Sequence, residues 1–416
     1  MDPKPKGALY AVIVLTAMNL LNYIDRIIPS AVKAPMMDEL KLTGTQSSVL
    51  LTGFVWVYMV MSPVFGTLAS RMSRKLLVAF GVAVWSLASA AGAFAHDFET
   101  MLAARAVVGI GEAAYATIAP AILSDYFPPE KRNRIFTIFY IATPVGSALG
   151  FILAGQIQAA WDWRAPFLVC GLPGLLAAVL ALFIREPPRG NFDVDKGPEP
   201  PWGVALRALI KNKLYVVTVA GYTAVCFATG AITDWFATYL VKVRDMKLED
   251  ADTLVGISAV IGGLAGTVLG GVIGDRLKGK TRHPYLAVSA LSLIPAALFV
   301  GAAIYVADTP NTIKVSIIVG MIFFMMYNAP INALIVNSVD AGLRTRAFGL
   351  SILSIHLLGD AASPTIVGKI RDVTDGNLAL ALSLAPIFIV VGFVIWVIGW
   401  RTIPEPTVTA NASTLA

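Results

Sequence analysis

Apolar residues run through this chain in long unbroken stretches, not in the alternation of a half-buried strand or the narrow stripe of a soluble helix. Charge clusters and Gly/Pro punctuation cut the stretches at 8–33, 46–70, 76–95, 100–125, 135–158, 165–184, 214–241, 253–274, 285–307, 314–338, 347–368 and 378–400. Each is close to the ~20 residues a helix needs to cross a bilayer. The pattern predicts an all-α membrane protein with twelve transmembrane helices. The longest polar break separates them six and six, which predicts an N-terminal six-helix bundle over 1–184, a linker over 185–213, a C-terminal bundle over 214–401 and a tail over 402–416.

Internal echoes support a duplicated unit. Gly66-Thr-Leu-Ala-Ser-Arg71-Met-Ser-Arg74-Lys75 reappears in outline as Gly271-Val-Ile-Gly-Asp275-Arg276-Leu-Lys278, with Arg71 and Arg276 offset by 205 residues. Arg132-Asn-Arg134-Ile-Phe136 reappears as Arg344-Thr-Arg346-Ala-Phe348 at an offset of 212. Spans 3, 6, 9 and 12 carry no charge and no Asn, Gln or His, as helices on a lipid-facing periphery should, and nested three-helix repeats would place a site between the halves. In span 8, Gly262, Gly266, Gly270 and Gly274 make a small-residue seam for close helix packing.

Composition sharpens this. The chain is 57% hydrophobic and 14% charged, against about 25% charged in soluble domains, and no hydrophilic stretch is long enough for an ectodomain. The first apolar run follows Lys4 and Lys6 but contains Asn19, Asn22, Asp25 and Arg26 and no Ala-x-Ala site, so it reads as a retained helix. With both termini placed in the cytoplasm, 21 of the 32 Lys/Arg fall in cytoplasmic segments, 9 in external loops, and Arg26 and Arg105 within spans. The expectation is a multi-pass protein of the plasma (inner) membrane. Its net charge of +6 is then an inside bias facing the bilayer surface, which argues against nucleic acid as a partner. In the linker, Trp202, Ala205, Leu206, Leu209 and Ile210 share a helical face, which predicts a helix lying on the membrane. Cys170 and Cys226 fall inside spans and imply no disulfide.

The Gly66–Lys75 segment resembles the signature after the second helix of the major facilitator superfamily, Gly-x-Leu-Ala-Asp-Arg-x-Gly-Arg-Arg/Lys, with Ser70 replacing the acid and Ser73 the second glycine. Three further segments are similar to the spinster family of lipid transporters: Leu21-Asn22-Tyr23-Ile24-Asp25-Arg26, Arg105-x3-Gly109-x-Gly111-Glu112-Ala113, and His356-x2-Gly359-Asp360-x2-Ser363-Pro364. The resemblance implies two pseudo-symmetric bundles that work as a monomer, a lysolipid or sphingoid-like substrate, and a cytoplasmic gate network. Arg71, Asp125, Arg132 and Arg134 in one half would answer Asp275, Arg276, Asp340, Arg344 and Arg346 in the other. Ordinary positive-inside charge explains the loop arginines equally well; the three aspartates at helix ends are less easily dismissed.

Ionisable residues inside spans cost at least ~2.5–3.5 kcal/mol to insert, so each is a functional candidate. Asn19, Asn22, Tyr23 and Arg26 form one stripe of helix one, where Asp25 is a candidate proton carrier that Arg26 tunes, unless the two only form a structural ion pair. Arg105, Gly109 and Glu112 share a face of helix four, and Glu112 is a second proton site, a partner for Arg26, or a clamp between helices one and four. His356, Asp360 and Ser363 share a face of helix eleven, either contacting substrate or making a structural hydrogen bond; with His96 and His283 in loops, no third ligand for a metal is in prospect. Asp234 beside Trp235 reads as a rim feature of helix seven. Tyr327, Asn328, Pro330, Asn332 and Asn337 line a cavity or pack, and Gly146 and Gly150 give helix five a close-packed face. The expectation is a proton-coupled secondary transporter working by alternating access, with Asn22, Tyr23, Arg26, Arg105, His356 and Asp360 facing the substrate and no cofactor beyond the proton gradient. Export of drug-like or polar organic solutes is the rival within that class, and a membrane-embedded lipid-modifying enzyme lies outside it.

Overall fold

The computed structural model describes residues 7–189, 191, 202–339 and 343–404. They contain twelve helices long and apolar enough to cross a membrane: α1 (Ala8–Ala31), α2 (Gly44–Ala69), α3 (Arg74–Gly92), α4 (Phe98–Tyr126), α5 (Ile138–Ala160), α6 (Ala165–Leu182), α7 (Lys213–Arg244), α8 (Leu248–Arg276), α9 (Pro284–Tyr305), α10 (Pro310–Ile335), α11 (Gly349–Val373) and α12 (Leu378–Thr402). Apolar run length therefore predicts every span to within a few residues. The largest shifts, of five residues, are at the start of α8, Leu248 and not 253, and at the end of α11, Val373 and not 368. Glu249, Asp250 and Asp252 read as loop in the sequence, but acidic side chains in a first turn complement the helix dipole and lengthen the helix instead.

Short polar motifs set other boundaries. Thr43 and Gln46 form a reciprocal capping box before α2, as do Asp97 with Thr100 before α4 and Thr309 with Thr312 before α10. Two helices are interrupted near their middles by a π turn, at Gly262–Gly266 in α8 and at His356–Asp360 in α11. The glycine seam of α8 packs on α10 as its spacing suggests. A Cβ built on Gly270 would stand 1.8 Å from the Met326 carbonyl oxygen, so no larger residue fits there without moving α10. In the linker helix Trp202–Lys211, Ala205 and Leu209 are buried on the protein, and Val204, Leu206 and Ile210 are exposed.

α1–α6 pack among themselves, as do α7–α12, giving two bundles. Twelve crossings return the chain to the face it started from, here the terminal face; the loops joining α1 to α2 and α7 to α8 lie on the opposite face. The bundles touch unevenly. α2 packs on the Ser363–Val373 part of α11, and α5 packs on the Leu248–Ile261 part of α8, both toward the opposite face. The two halves are therefore joined at one end of the molecule and diverge toward the other.

Candidate functional site

Between the bundles lies a chamber in two parts. A polar part of about 290 Å³ is lined by Tyr23, Arg26 and Ser30 of α1, Thr52, Phe54 and Tyr58 of α2, Thr229 and Thr233 of α7, and His356 and Asp360 of α11. It continues past Tyr23, Ser147, Thr229 and Thr233 into a mostly apolar part of about 650 Å³, walled by Tyr140 and Pro144 of α5, Leu264 and Val268 of α8, and Met321, Phe324, Met325 and Asn328 of α10. Among the described residues, none lining these two parts belongs to α3, α6, α9 or α12, the four helices whose apolar runs carry no charge and no Asn, Gln or His.

Arg26 Nε donates to Glu112 Oε2 at 2.6 Å, joining α1 to α4, while its guanidinium carbon sits 5.0, 5.1 and 5.2 Å from the ring centres of Tyr23, Phe54 and Tyr58. The Arg26 side chain keeps 21% of its surface exposed, on the chamber side, and Glu112 keeps none. Asp25 and Arg26 do not form the pair that their adjacency suggests. Consecutive helical residues point about 100° apart, so Asp25 turns into its own bundle, where Ser89 Oγ donates to Oδ1 at 3.4 Å. Arg105 is fully buried, with its guanidinium carbon 5.1 Å from the centre of the same Phe54 ring. Among the described residues the three Arg105 nitrogens, Asp25 Oδ2, Glu112 Oε1 and the Asn22 amide nitrogen have no hydrogen-bond partner. Two carboxyl groups and two guanidinium groups thus share one buried core with a single pair closed. Such a set has spare donors and acceptors and can re-pair when a proton arrives or leaves.

Across the chamber, His356 Nδ1 lies 3.0 Å from both Asp360 carboxylate oxygens, and both side chains are partly exposed to it. Ser363 does not join them: the π turn rotates the helix out of phase, and Ser363 is buried against Gly230. Asn332 donates to Asn328, which lines the apolar part, while Tyr327 is buried against Trp396.

The opposite face is closed by polar contacts between the halves. Lys33, just past α1, pairs with Asp234 of α7, both 1% exposed; Ser48 and Ser30 hydroxyls donate to the same carboxylate at 2.9 and 3.2 Å, and the ammonium lies 3.7 Å over the Trp235 ring. Asp234 is therefore a buried junction and not a rim residue. Asp372 of α11 accepts from the Gly44 and Thr45 amides at 2.6 and 2.8 Å, capping the start of α2 across the interface. Lys242 pairs with Asp38, and Thr52 meets Thr365 at 3.3 Å. All of these lie toward the opposite face.

On the terminal face the expected network is only partly seen. Asp125 is held by Arg74 Nη1 at 2.5 Å, within the N-terminal bundle, and Arg74 also donates to the Pro187 carbonyl. Glu186 takes the Ser73 hydroxyl and the Lys75 amide; burial works against ionisation, but these donors hold its carboxyl below the usual range. Asp275 binds Lys278 and Tyr285 inside its own half, so it is not an inter-half gate in this state. Arg71 and Arg276 are exposed, and Arg132, Arg134, Asp340 and Arg344 lie outside the described residues or have side chains that do.

Lys33, Glu186 and Asp372 belong to no motif in the sequence, and Arg74 stands there only within the Gly66–Lys75 signature. The available signal was weak but present: Lys33 is flanked by Ala31, Val32 and Ala34, so its charge stands in an apolar context.

Residues 15–364 match the model of the Major Facilitator Superfamily. Protein spinster homolog 1 is 34% identical over 388 residues in Xenopus laevis and over 391 in human, covering 88% of this chain and 73% and 74% of theirs. The zebrafish (Danio rerio) sphingosine-1-phosphate transporter SPNS2 is 31% identical over 415 residues, 92% of this chain and 82% of its own. Among solved structures, a bacterial homolog of the human lysosomal transporter spinster, inward-facing and unoccupied, superposes with a TM-score of 0.81 at 21% identity over 96% of each chain. A D-xylose-proton symporter superposes with a TM-score of 0.72 at 16% identity over 96% of this chain and 99% of that one, a likeness of fold alone. With its twelve membrane helices, its chamber between two bundles and these relatives, this chain is a multi-pass membrane transporter that belongs to the spinster branch of the major facilitator superfamily.

Proposed function

We propose that the protein is a proton-coupled secondary active transporter of an amphiphile, a lysolipid or sphingoid-like molecule, working by alternating access as a monomer with no cofactor beyond the proton gradient. The observation that carries the reading is the two-part chamber: a charged part beside Arg26, His356 and Asp360 suits a polar head, and the larger apolar part between α5, α8 and α10 suits a tail. The positive-inside charge balance supports a reading with both termini in the cytoplasm of a plasma membrane. The terminal face is then cytoplasmic, and the closed opposite face makes this an inward-open state.

In the mechanism, Glu112 holds Arg26 by a charge-assisted bond. A proton on Glu112 cancels that charge and releases the guanidinium, which the Tyr23, Phe54 and Tyr58 rings keep at the chamber wall to meet an anionic headgroup. Asp25 and Arg105, buried beside the pair with unused hydrogen-bonding atoms, take up the rearranged charges. The proton takes Glu112 and the headgroup takes the Arg26 it frees, so each favours the binding of the other, the linkage that coupling requires. The test is uptake of a labelled lysolipid into proteoliposomes with and without a pH gradient. Gradient-driven accumulation in wild type, lost in Asp25→Asn and Glu112→Gln, is expected. Accumulation indifferent to the gradient, or a chamber saturated by small hydrophilic acids and indifferent to lysolipids, overturns it, and recovery of a chemically altered lipid would identify an enzyme instead.

A further inference from the structure

One ionisable side chain on the opposite-face side has no role in the scheme above. Asp252, in the second turn of α8, is fully buried, and neither carboxyl oxygen has a hydrogen-bond partner among the described residues. It faces the seam between the halves. Gly155 of α5 lies directly against it: a Cβ there would meet Asp252 Cβ at 2.9 Å and Oδ2 at 3.1 Å. One turn further, Gly256 packs on the Ala148 backbone, so the same face of α8 seals against α5 on both sides of the aspartate. Val255 and Ala259, next along α8, line the cavities between the halves. Asp252 therefore stands between the chamber and the opposite-face medium.

The charged groups on the surrounding elements do not neutralise it. α5 carries none between Ala142 and Ala160. On α7, Lys242 pairs with Asp38, and Arg244 is turned to Tyr239 and Asp308. Lys314 of α10 and Asp250 are exposed, and Glu249 on the preceding turn bears the same sign. A carboxylate sealed in an apolar seam without a cation or a donor is far less stable than the neutral acid.

We propose that Asp252 is a proton site controlled by the seam itself: it is protonated whenever α5 closes on α8, and it loses the proton to the opposite-face medium when the halves part there. Ionised Asp252 opposes closure, so closing requires a proton from the opposite-face medium, and opening there returns it, independently of Asp25 and Glu112. This deepens the proposed proton coupling and rests on it for its purpose, but the site is testable alone. In the closed state near pH 7, the infrared band of protonated carboxyl groups should lose intensity in Asp252→Asn relative to wild type. Separately, spin labels on Trp161→Cys and Val373→Cys, exposed on the opposite face of each half, report opening. In an Asp25→Asn/Glu112→Gln background, the open fraction should still rise with pH, by up to about tenfold per unit, and adding Asp252→Asn should abolish that rise. Asp252→Leu, which suits the apolar seam, should do the same and serves if the asparagine folds poorly. An unchanged carboxyl band, or a background already indifferent to pH, overturns the assignment while leaving gradient-driven uptake to judge the transport reading by itself.

Discussion

The junction at Lys33 and Asp234 allows the most direct test of how the closed opposite face is held. Both side chains are buried, the ion pair is completed by two serine hydroxyls, and its members come from different halves. Removing one member of a buried pair leaves an uncompensated charge and costs about 3–5 kcal/mol. That penalty applies only while the face is closed, because opening brings the remaining charge into water. Asp234→Asn or Lys33→Met should then shift the closed-to-open ratio by roughly 100- to 5,000-fold toward the open state, at about 1.4 kcal/mol per factor of ten. Replacing both, as Lys33→Met with Asp234→Leu, removes the stranded charge and should restore most of the closed population, since apolar packing substitutes for a buried pair at little cost. Spin-label distances across the opposite face measure the ratio directly. If the single variants leave it unchanged, or if the double variant opens as far as either single, the pair does not hold the face and the reasoning fails.

Three further outcomes follow from distances on the same interfaces. Gly368→Val should keep the opposite face from closing and suppress flux without loss of expression, because a Cβ at Gly368 would stand 2.4 Å from the Gly44 carbonyl oxygen of α2; cysteine accessibility near Gly44 checks it. Gly270→Ala should lower thermal stability by about 1–3 kcal/mol, the usual cost of overpacking, since its methyl would run into the Met326 carbonyl. His356→Ala should leave the melting temperature nearly unchanged, as expected for a partly exposed side chain, but weaken substrate binding by about 1–2 kcal/mol, up to roughly thirtyfold in a displacement assay, by stranding Asp360 in the chamber.

Spans, bundle division and peripheral helices were legible because the bilayer imposes length and polarity one segment at a time, and the four helices whose runs carry no charge and no Asn, Gln or His stay clear of the chamber. Partners were less legible. Arg26 and Glu112 come together although they lie 86 residues apart, while the neighbours Asp25 and Arg26 separate, since helical phase and bundle packing decide where a side chain points. Lys33 and Asp234 are 201 residues apart and belong to different halves, so no local pattern could join them. The aspartate could be read only as a charge near a helix end. Asp252 was hidden for a related reason: its acidic neighbours Glu249 and Asp250 read as loop, and only the helix that begins at Leu248 carries it into the seam.

The two π turns have a mechanical meaning. An α-helix resists bending because every residue is tied to the one four before it; a π turn widens one loop of that ladder and weakens it locally. α8 and α11 carry such a turn beside the chamber, at Gly262–Gly266 and His356–Asp360, and among the described residues each packs on the other half chiefly on the opposite-face side of it. The terminal segments of both helices pack within their own bundle, so bending at the two π turns would move them together with it while the far seam stays shut. A substrate tail lying against Leu264 or a headgroup touching His356 would press on the hinge itself.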